Sequence, residues 1–448
     1  MTNLQVSFFR PSLQEQEIEE VIATLRSGWL TSGVRVKRFE QAFAEAVGAL
    51  YAVALNSCTA ALHLAVEALG LKAGQAVLVP TMTFAATAEV VRYLGAIPIL
   101  VDCDLVALNM DLDDAARQLE KLRFSNRANY ADIQNPRLSE AVGIMPVHVG
   151  GLMMDIKAIH NFAAMHNLWV VEDAAHAFPA AWRSEVRDQN SEIKTHYRGA
   201  EGAEDAQRLL VRHNDGWQRC GQGTAHVTCF SFYANKTITT GEGGMAVTDD
   251  PNLAQRMREM SLHGLSQDAW ERYAGGPSWD YKIVAPGFKY NLTDIAASIG
   301  IHQLTRAEEM RQMREGVARC YFEALADVDE IELPPQDVNR VHAWHLFPIR
   351  LRLDRLDIDR NHFIKELKRA GVGCSVHWRP LHLHPYYQET FKYRAEDFPV
   401  ATREWQRLVS LPIFPDMRTD EINYVVNTIK AICGRYNPQI VPIKEMRS

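Results

Sequence analysis

What most constrains the fold of this chain is a repeated alternation of short apolar runs with longer segments of helical periodicity. Residues 52–55, 76–79, 98–101, 144–149 and 168–172 are apolar runs too short for buried helices and read as strands. Between them, residues 60–68, 85–94, 112–122 and 154–166 carry apolar positions at helical spacing. Strands that alternate with helices give a mostly parallel sheet covered by helices on both faces, an α/β fold. Right-handed crossovers then gather the loops after the strands at one rim, where sites form. Two further helices precede the pattern: 12–27, with Leu13, Ile18, Val21, Ile22 and Leu25 at helical spacing, and 36–47, stopped by Gly28 and Gly48.

A chain of 448 residues is long enough for two domains. A long helix over 306–325 is the expected connector to the second, which combines a strand region at 342–350 with helices at 360–370 and 421–433. The expected division is a large domain, 1–305, and a smaller C-terminal α/β domain, 306–448. Two polar stretches, 125–138 and 183–221, read as insertions in the large domain, the second with one short helix at 203–211. The mixed charges and few aromatics of the second suit a solvated face rather than nucleic acid. Residues 270–286 are aromatic-rich and read as a structured loop.

A net charge of -7 gives no basic excess for nucleic acid. No apolar stretch reaches the length of a membrane span and the polar opening lacks an export core, so a cytoplasmic protein is expected. The seven cysteines are scattered without a CxxC pair, which suggests reduced thiols rather than a disulfide framework or a cysteine zinc site. His377, His382 and His384 crowd one segment, but prolines break its register and no cysteine or carboxylate completes a ligand set. No metal is expected.

Three constellations carry chemistry. Lys236 lies in FSFYANKTITTGEGGMAVTD, residues 230–249, between Phe230-Ser231-Phe232 and a glycine turn that lets backbone approach closely. Desolvation there lowers a lysine's proton affinity and leaves a neutral amine able to attack a carbonyl carbon. Asp173 follows the strand 168–172, with His176 just beyond. A carboxylate so placed can hold a pyridine ring nitrogen protonated, and the histidine can touch the same ring; a helix cap and a satisfied buried histidine are the competing readings. Ser57, Cys58 and Thr59 precede a helix, whose unpaired N–H groups suit a phosphate, although capping explains the hydroxyls equally well. One phosphorylated aldehyde cofactor needs all three features.

Taken together, these segments resemble the sugar aminotransferases of the DegT/DnrJ/EryC1/StrS family, fold-type-I pyridoxal-phosphate enzymes, over most of the chain. The most specific marks are EDAAHA at 172–177 and FSFYANKTITTGEGG at 230–244. NSCTAALHLAVEALG at 56–70, PTMTFAATAEV at 80–90, PVHVGGLMMD at 146–155 and GFKYNLTDIAASIG at 287–300 support them. The resemblance implies an aspartate aminotransferase-like fold, its large domain built on a mostly parallel seven-stranded sheet between helices, with pyridoxal 5'-phosphate as cofactor. It implies Lys236 as the Schiff-base lysine and Asp173 as the partner of the pyridinium nitrogen. Phe84 stands where the family places an aromatic ring against the cofactor, and His176 where many members have glutamine on its other side. Cys58, Thr59 and Ser231 match the phosphate-binding positions, with Cys58 where glycine is frequent. The family is dimeric with shared sites, and GFKYN matches the segment given by the neighbouring subunit. Asn291 is the better match to the phosphate contact and Lys289 another candidate.

The activity so implied moves an amino group from L-glutamate to a nucleotide-linked keto sugar, giving an amino sugar and 2-oxoglutarate. GFKYNLTD, PTMTF and HVGG resemble the 4-keto-sugar group. Dehydratase relatives carry histidine where this chain has Lys236, which argues against that branch. A cyclitol or other keto substrate, and a non-catalytic regulator on the same scaffold, are the alternatives; no attached DNA-binding module is visible in the sequence.

Overall fold

The computed structural model describes residues 4–124, 140–183, 216–265 and 282–438. In chain order the strands of its first part are β1 (Tyr51–Leu55), β2 (Ala76–Pro80), β3 (Ile97–Val101), β4 (Ala141–Ile144), β5 (Trp169–Asp173), β6 (Ala181–Trp182), β7 (Gln218–Arg219), β8 (Val227–Ser231) and β9 (Gly244–Thr248). Seven of them form one sheet in the order β1-β9-β8-β5-β4-β2-β3. Neighbours from β3 through β8 pair parallel, whereas β9 pairs antiparallel with both β8 and β1. The expected α/β architecture with a mostly parallel sheet is therefore the one adopted. Strands β2, β3 and β9 are buried along their whole length, as cover by helical layers requires.

The helices of this part are α1 (Glu15–Ser27), α2 (Val34–Val47), α3 (Cys58–Ala68), α4 (Ala86–Tyr93), α5 (Leu112–Phe124), α6 (Ile156–His166), α7 (Pro251–Ser261) and α8 (Asp294–Thr305). Side-chain caps start several of them: Ser57 on α3, Asp155 on α6, Asp250 on α7 and Thr293 on α8. The apolar residues that give α1 its helical spacing face outward, with Leu13, Ile18, Ile22 and Leu25 exposed while Glu17 and Thr24 face the core. Glu17 is satisfied there by Gln303 Nε2 at 2.8 Å and by Arg306.

The second part follows through α9 (Ala307–Leu325) and contains β10 (Ile331–Glu332), β11 (Arg340–Val341), β12 (Phe347–Leu351), α10 (Arg360–Arg369), α11 (Pro385–Phe391), α12 (Pro399–Arg407), β13 (Leu408–Leu411) and α13 (Thr419–Tyr436). β10, β12 and β13 form a small antiparallel sheet, and β11 joins β6 and β7 in another. One apolar core surrounds the large sheet and takes in Leu381, Tyr387, Phe398 and Leu408 from the second part. A second core, around Phe347, Ile349, Phe363 and Val425, includes Val6 from the start of the chain.

The run 144–149, read as one strand, is a strand only through Ile144. Met145 N still bonds Leu78 O at 2.9 Å, but Pro146 has no N–H to give, and pairing with β5 persists only as an isolated bridge of Val147 to Asp173, with His148 N on Asp173 O at 3.3 Å. The segments 125–138 and 184–215, the helix expected at 203–211 and most of the loop expected at 270–286 lie outside the described residues. Among the described residues no helix is long and apolar enough to cross a membrane.

Candidate functional site

Strand register decides which side chains share a face at the carboxyl rim. Asp173 of β5 stands opposite Cys229 of β8, and Glu172 opposite Thr228. Because side chains alternate along a strand, Asp173 and Cys229 point to one face and Glu172 and Thr228 to the other. Two residues further along β8, Ser231 is on the Asp173 face, while Phe230 and Phe232 turn inward and are fully buried. Their rings lie 5.1 and 5.3 Å from that of Phe43, a cluster that pins this strand end from below.

Ser231 pairs with Gly244 of β9, and Gly244 with Leu55 of β1. A Cβ at Gly244 would collide with the Ser57–Cys58 peptide, so glycine lets the start of α3 lie directly on this strand. The Ser57 hydroxyl accepts from Ala60 N at 3.1 Å and is spent as the cap. Cys58 and Thr59 then open the first turn, whose N–H groups a helix cannot satisfy internally.

Lys236 sits in the loop 232–243 between β8 and β9. Phe232 N bonds Gly243 O at 2.9 Å, Thr240 N bonds Phe232 O at 3.0 Å, and the Thr239 hydroxyl donates to the same Phe232 carbonyl at 3.0 Å. Thr239 N reaches Gln303 Oε1 at 3.2 Å and ties the loop to α8. The threonines of the KTITTGEGG run thus fix the loop, and Lys236 projects from it partly buried. Burial pulls its amine down to about 8, against the opposing pull of Cys58 and Asp173 and with help from the Arg314 charge. Burial likewise pushes the Asp173 carboxyl up, although the Thr87 hydroxyl at 2.7 Å, the Ala175 N–H at 3.2 Å and the Lys236 charge oppose it.

The other face of β5 carries a separate polar cluster. Glu172 Oε2 accepts from Thr224 at 2.6 Å and Thr228 at 2.8 Å, and Oε1 lies 3.6 Å from His148 Nε2. Burial alone would raise this carboxyl, but His148 and the two hydroxyls hold it below the ordinary range. His148, Glu172 and Cys220 are close enough to hold a metal ion. However, His148 Nδ1 accepts from Met154 N at 3.2 Å, which puts the proton of a neutral ring on Nε2, the atom a metal would need.

The structure gathers Lys236, Asp173, Cys58, Ser231 and His176 at one rim. Phe84 is 63% exposed and lies three residues before Thr87, whose hydroxyl binds Asp173. His176 is buried beside two rings, His345 at 4.1 Å and Trp378 at 5.0 Å. Lys289 and Asn291 hydrogen-bond each other, and Asn291 Nδ2 donates to Ser32 Oγ at 2.7 Å. Their segment runs beside the β1–α3 turn, where Asn56 N bonds Tyr290 O at 2.7 Å.

Sequence reasoning missed Thr87, His345 and Trp378. His345 Nε2 is 3.5 Å from Lys236 Nζ although the two lie 109 positions apart. His377, weighed only as a metal ligand, bonds Ser410 Oγ at 2.9 Å, and its imidazole is lowered to about 4 by burial and the Lys236 charge. His382 bridges Thr81 and Thr402 at 2.7 and 2.8 Å. The one local signal was the density of histidine and tryptophan in HAWH at 342–345 and HW at 377–378.

The model of the DegT/DnrJ/EryC1/StrS aminotransferase family matches residues 11–430. The chain is 40% identical over 424 residues to the uncharacterized protein MJ1066 of Methanocaldococcus jannaschii, covering 95% of this chain and 96% of that one. It is 37% identical over 426 residues to the spore coat polysaccharide biosynthesis protein SpsC of Bacillus subtilis, covering 94% and 95%. Among solved structures, Spr1654 of Streptococcus pneumoniae in its PLP-form superposes with a TM-score of 0.77 at 27% identity, covering 96% of this chain and 99% of that one. On sequence and fold alike, this chain belongs to the DegT/DnrJ/EryC1/StrS aminotransferase family of fold-type-I pyridoxal-phosphate enzymes.

Proposed function

We propose that this chain is a pyridoxal-phosphate aminotransferase that moves an amino group from L-glutamate to a nucleotide-linked 4-keto sugar, with Lys236 and Asp173 as its catalytic residues. The observation that carries the reading is a buried carboxylate and an amine of lowered proton affinity at the same rim as the first turn of α3. The SpsC relative's place in polysaccharide biosynthesis supports a sugar acceptor.

The residues fit pyridoxal phosphate. His176 Nδ1 and Asn235 Oδ1 are buried without partners in this region, a polar capacity that a ligand of this kind can meet. Cys58, Thr59 and Ser231 would hold the phosphate, with Asn291 and Lys289 of a second subunit as further contacts. Phe84 and His176 would flank the ring and Asp173 would face its nitrogen. When bound, the cofactor supplies an aldehyde that bonds amines and a ring that draws electrons from the substrate carbon.

The chain's own part is acid and base. Near pH 8 the Lys236 Nζ is divided between ammonium and free amine, so it can act as nucleophile and then carry a proton to or from substrate carbon. Asp173, with its raised proton affinity, suits a shared proton with a heteroaromatic nitrogen. Burial and the nearby Lys236 charge keep His176 and His345 neutral, so they present hydrogen-bonding groups without adding charge beside the amine.

In the same reading the protein is a cytoplasmic homodimer. The outward stripe of Ile18, Ile22 and Leu25 on α1 supplies apolar surface that a second copy can cover. The test is 2-oxoglutarate formation from L-glutamate and a panel of nucleotide-linked keto sugars, with Lys236→Ala as control. Loss of turnover by roughly 10²–10⁴-fold or more is expected in that variant; a wild-type rate would refute the assignment.

A further inference from the structure

The turn 342–346 crosses from the second part of the chain to the lysine loop, and its backbone is held on three sides. Ala343 N bonds Gly151 O and Leu346 N bonds Gly150 O, each at 3.1 Å. Arg314, fully buried, donates to Trp344 O at 3.3 Å and to Ile413 O at 2.9 Å. The His342 ring stacks on Trp344 at 3.8 Å, and its Nδ1 accepts from Trp344 N at 2.8 Å. Gly150 and Gly151 have φ of 66° and 100°, and a Cβ at Gly151 would stand 2.8 Å from His176 O and 2.9 Å from Ala343 Cβ. Only glycine lets the turn approach so closely. The feature so delivered is His345, with Nε2 3.5 Å from Lys236 Nζ and its ring 4.1 Å from His176.

We propose that His345 is a positioning residue for Lys236: its neutral Nε2 accepts from the amine whenever that amine is not covalently occupied, and so keeps it aimed at the proton it must move. The assignment rests on the transaminase reading above. A lysine amine ends a flexible four-carbon stem, and one acceptor fixed by a braced turn selects the stem conformation. Among the described residues the His345 ring meets the Lys236 amine and the His176 ring, so its expected contribution is to the rate of proton transfer and not to substrate affinity.

The experiment is a single-turnover reaction of the pyridoxal-phosphate-loaded protein with L-glutamate, followed by cofactor absorbance, for wild type, His345→Leu and His345→Gln. His345→Leu is expected to keep the absorbance of covalently held cofactor and to lower the saturating rate roughly 10–100-fold, since small misplacements of a reacting group cost on that order. The half-saturating L-glutamate concentration should move less than about twofold, because no substrate contact is lost. His345→Gln retains an acceptor oxygen and should recover about tenfold of the lost rate. A leucine variant as fast as wild type, equal losses in both variants, or a loss confined to half-saturation overturns the proposal. Failure of both variants to hold cofactor assigns His345 to the fold and also overturns it. If wild type forms no 2-oxoglutarate the transaminase reading fails and takes this one with it, whereas wild-type turnover with an undiminished leucine variant removes His345 alone.

Discussion

Thr87 donates its hydroxyl to Asp173 Oδ2 at 2.7 Å, joining the first turn of α4 to the end of β5 across 86 positions of sequence. The contact does two things: it satisfies a buried carboxylate, and it carries the loop bearing Phe84 to the rim where Asp173 points. Its Thr83 neighbour bonds the same hydroxyl at 2.8 Å, so the loop is tied twice.

Replacing Thr87 by valine keeps the shape and removes the donor. The Asp173 carboxyl, already raised by burial, should rise further, with about 1–3 kcal/mol of lost satisfaction. Pyridoxal phosphate should be held roughly tenfold more weakly, as measured by titrating the apoprotein. Unchanged affinity would show that the remaining Ala175 N–H is enough.

Covalent capture of pyridoxal phosphate by the apoprotein should follow the free amine of Lys236, rising with pH through a midpoint near 8 rather than near the ordinary 10.5. The same lowering has a stability sign. Between about 8 and 10.5 the folded state binds fewer protons at this site than the unfolded state, so stability rises with pH across that window. A Lys236→Met apoprotein lacks this slope and should exceed wild type in Tm at pH 7, by at most about 3 kcal/mol in stability. The gap should close as pH approaches 10.

Gly244→Ala should damage two properties together. The methyl group meets the Ser57–Cys58 peptide, and overpacking of this kind costs typically about 1–3 kcal/mol. Relief requires the first turn of α3 to shift, so cofactor retention should fall along with Tm. A variant that loses Tm and keeps full cofactor affinity would separate α3 from phosphate binding.

Asp294, fully buried, accepts from Gly33 N at 2.8 Å and Val36 N at 3.0 Å, so a residue of α8 caps the start of α2. Asp294→Ala should destabilise by about 0.5–2 kcal/mol, as loss of a cap does, or somewhat more because the orphaned donors are buried. Denaturant unfolding would measure it, and Asp294→Asn should recover part of the loss.

What was legible in the sequence had a local cause. The strand ending at Asp173, the hydroxyl cap of α3 and the loop around Lys236 announce themselves by period, capping residue and glycine, all within a few positions. The second part of the chain was read less completely. α11, which begins on Pro385, is seven residues long and β13 only four, runs too short for a period to show. His345 and Thr87 act through partners far away in sequence, and a single chain carries no mark of such pairing. His382 resembled part of a metal cluster because its neighbours are histidines, whereas its real partners, Thr81 and Thr402, come from two other elements.

The antiparallel pairing of β9 with β8 has a consequence for how the amine can move. Residues 232–243 depart from and return to the same rim of the sheet, at two adjacent interior strands, so the backbone under Lys236 is clamped at both ends by strand pairing. Excursions between successive stages of a reaction then fall to rotation about the lysine's own methylene stem. Reach, and not backbone motion, limits what that amine can serve.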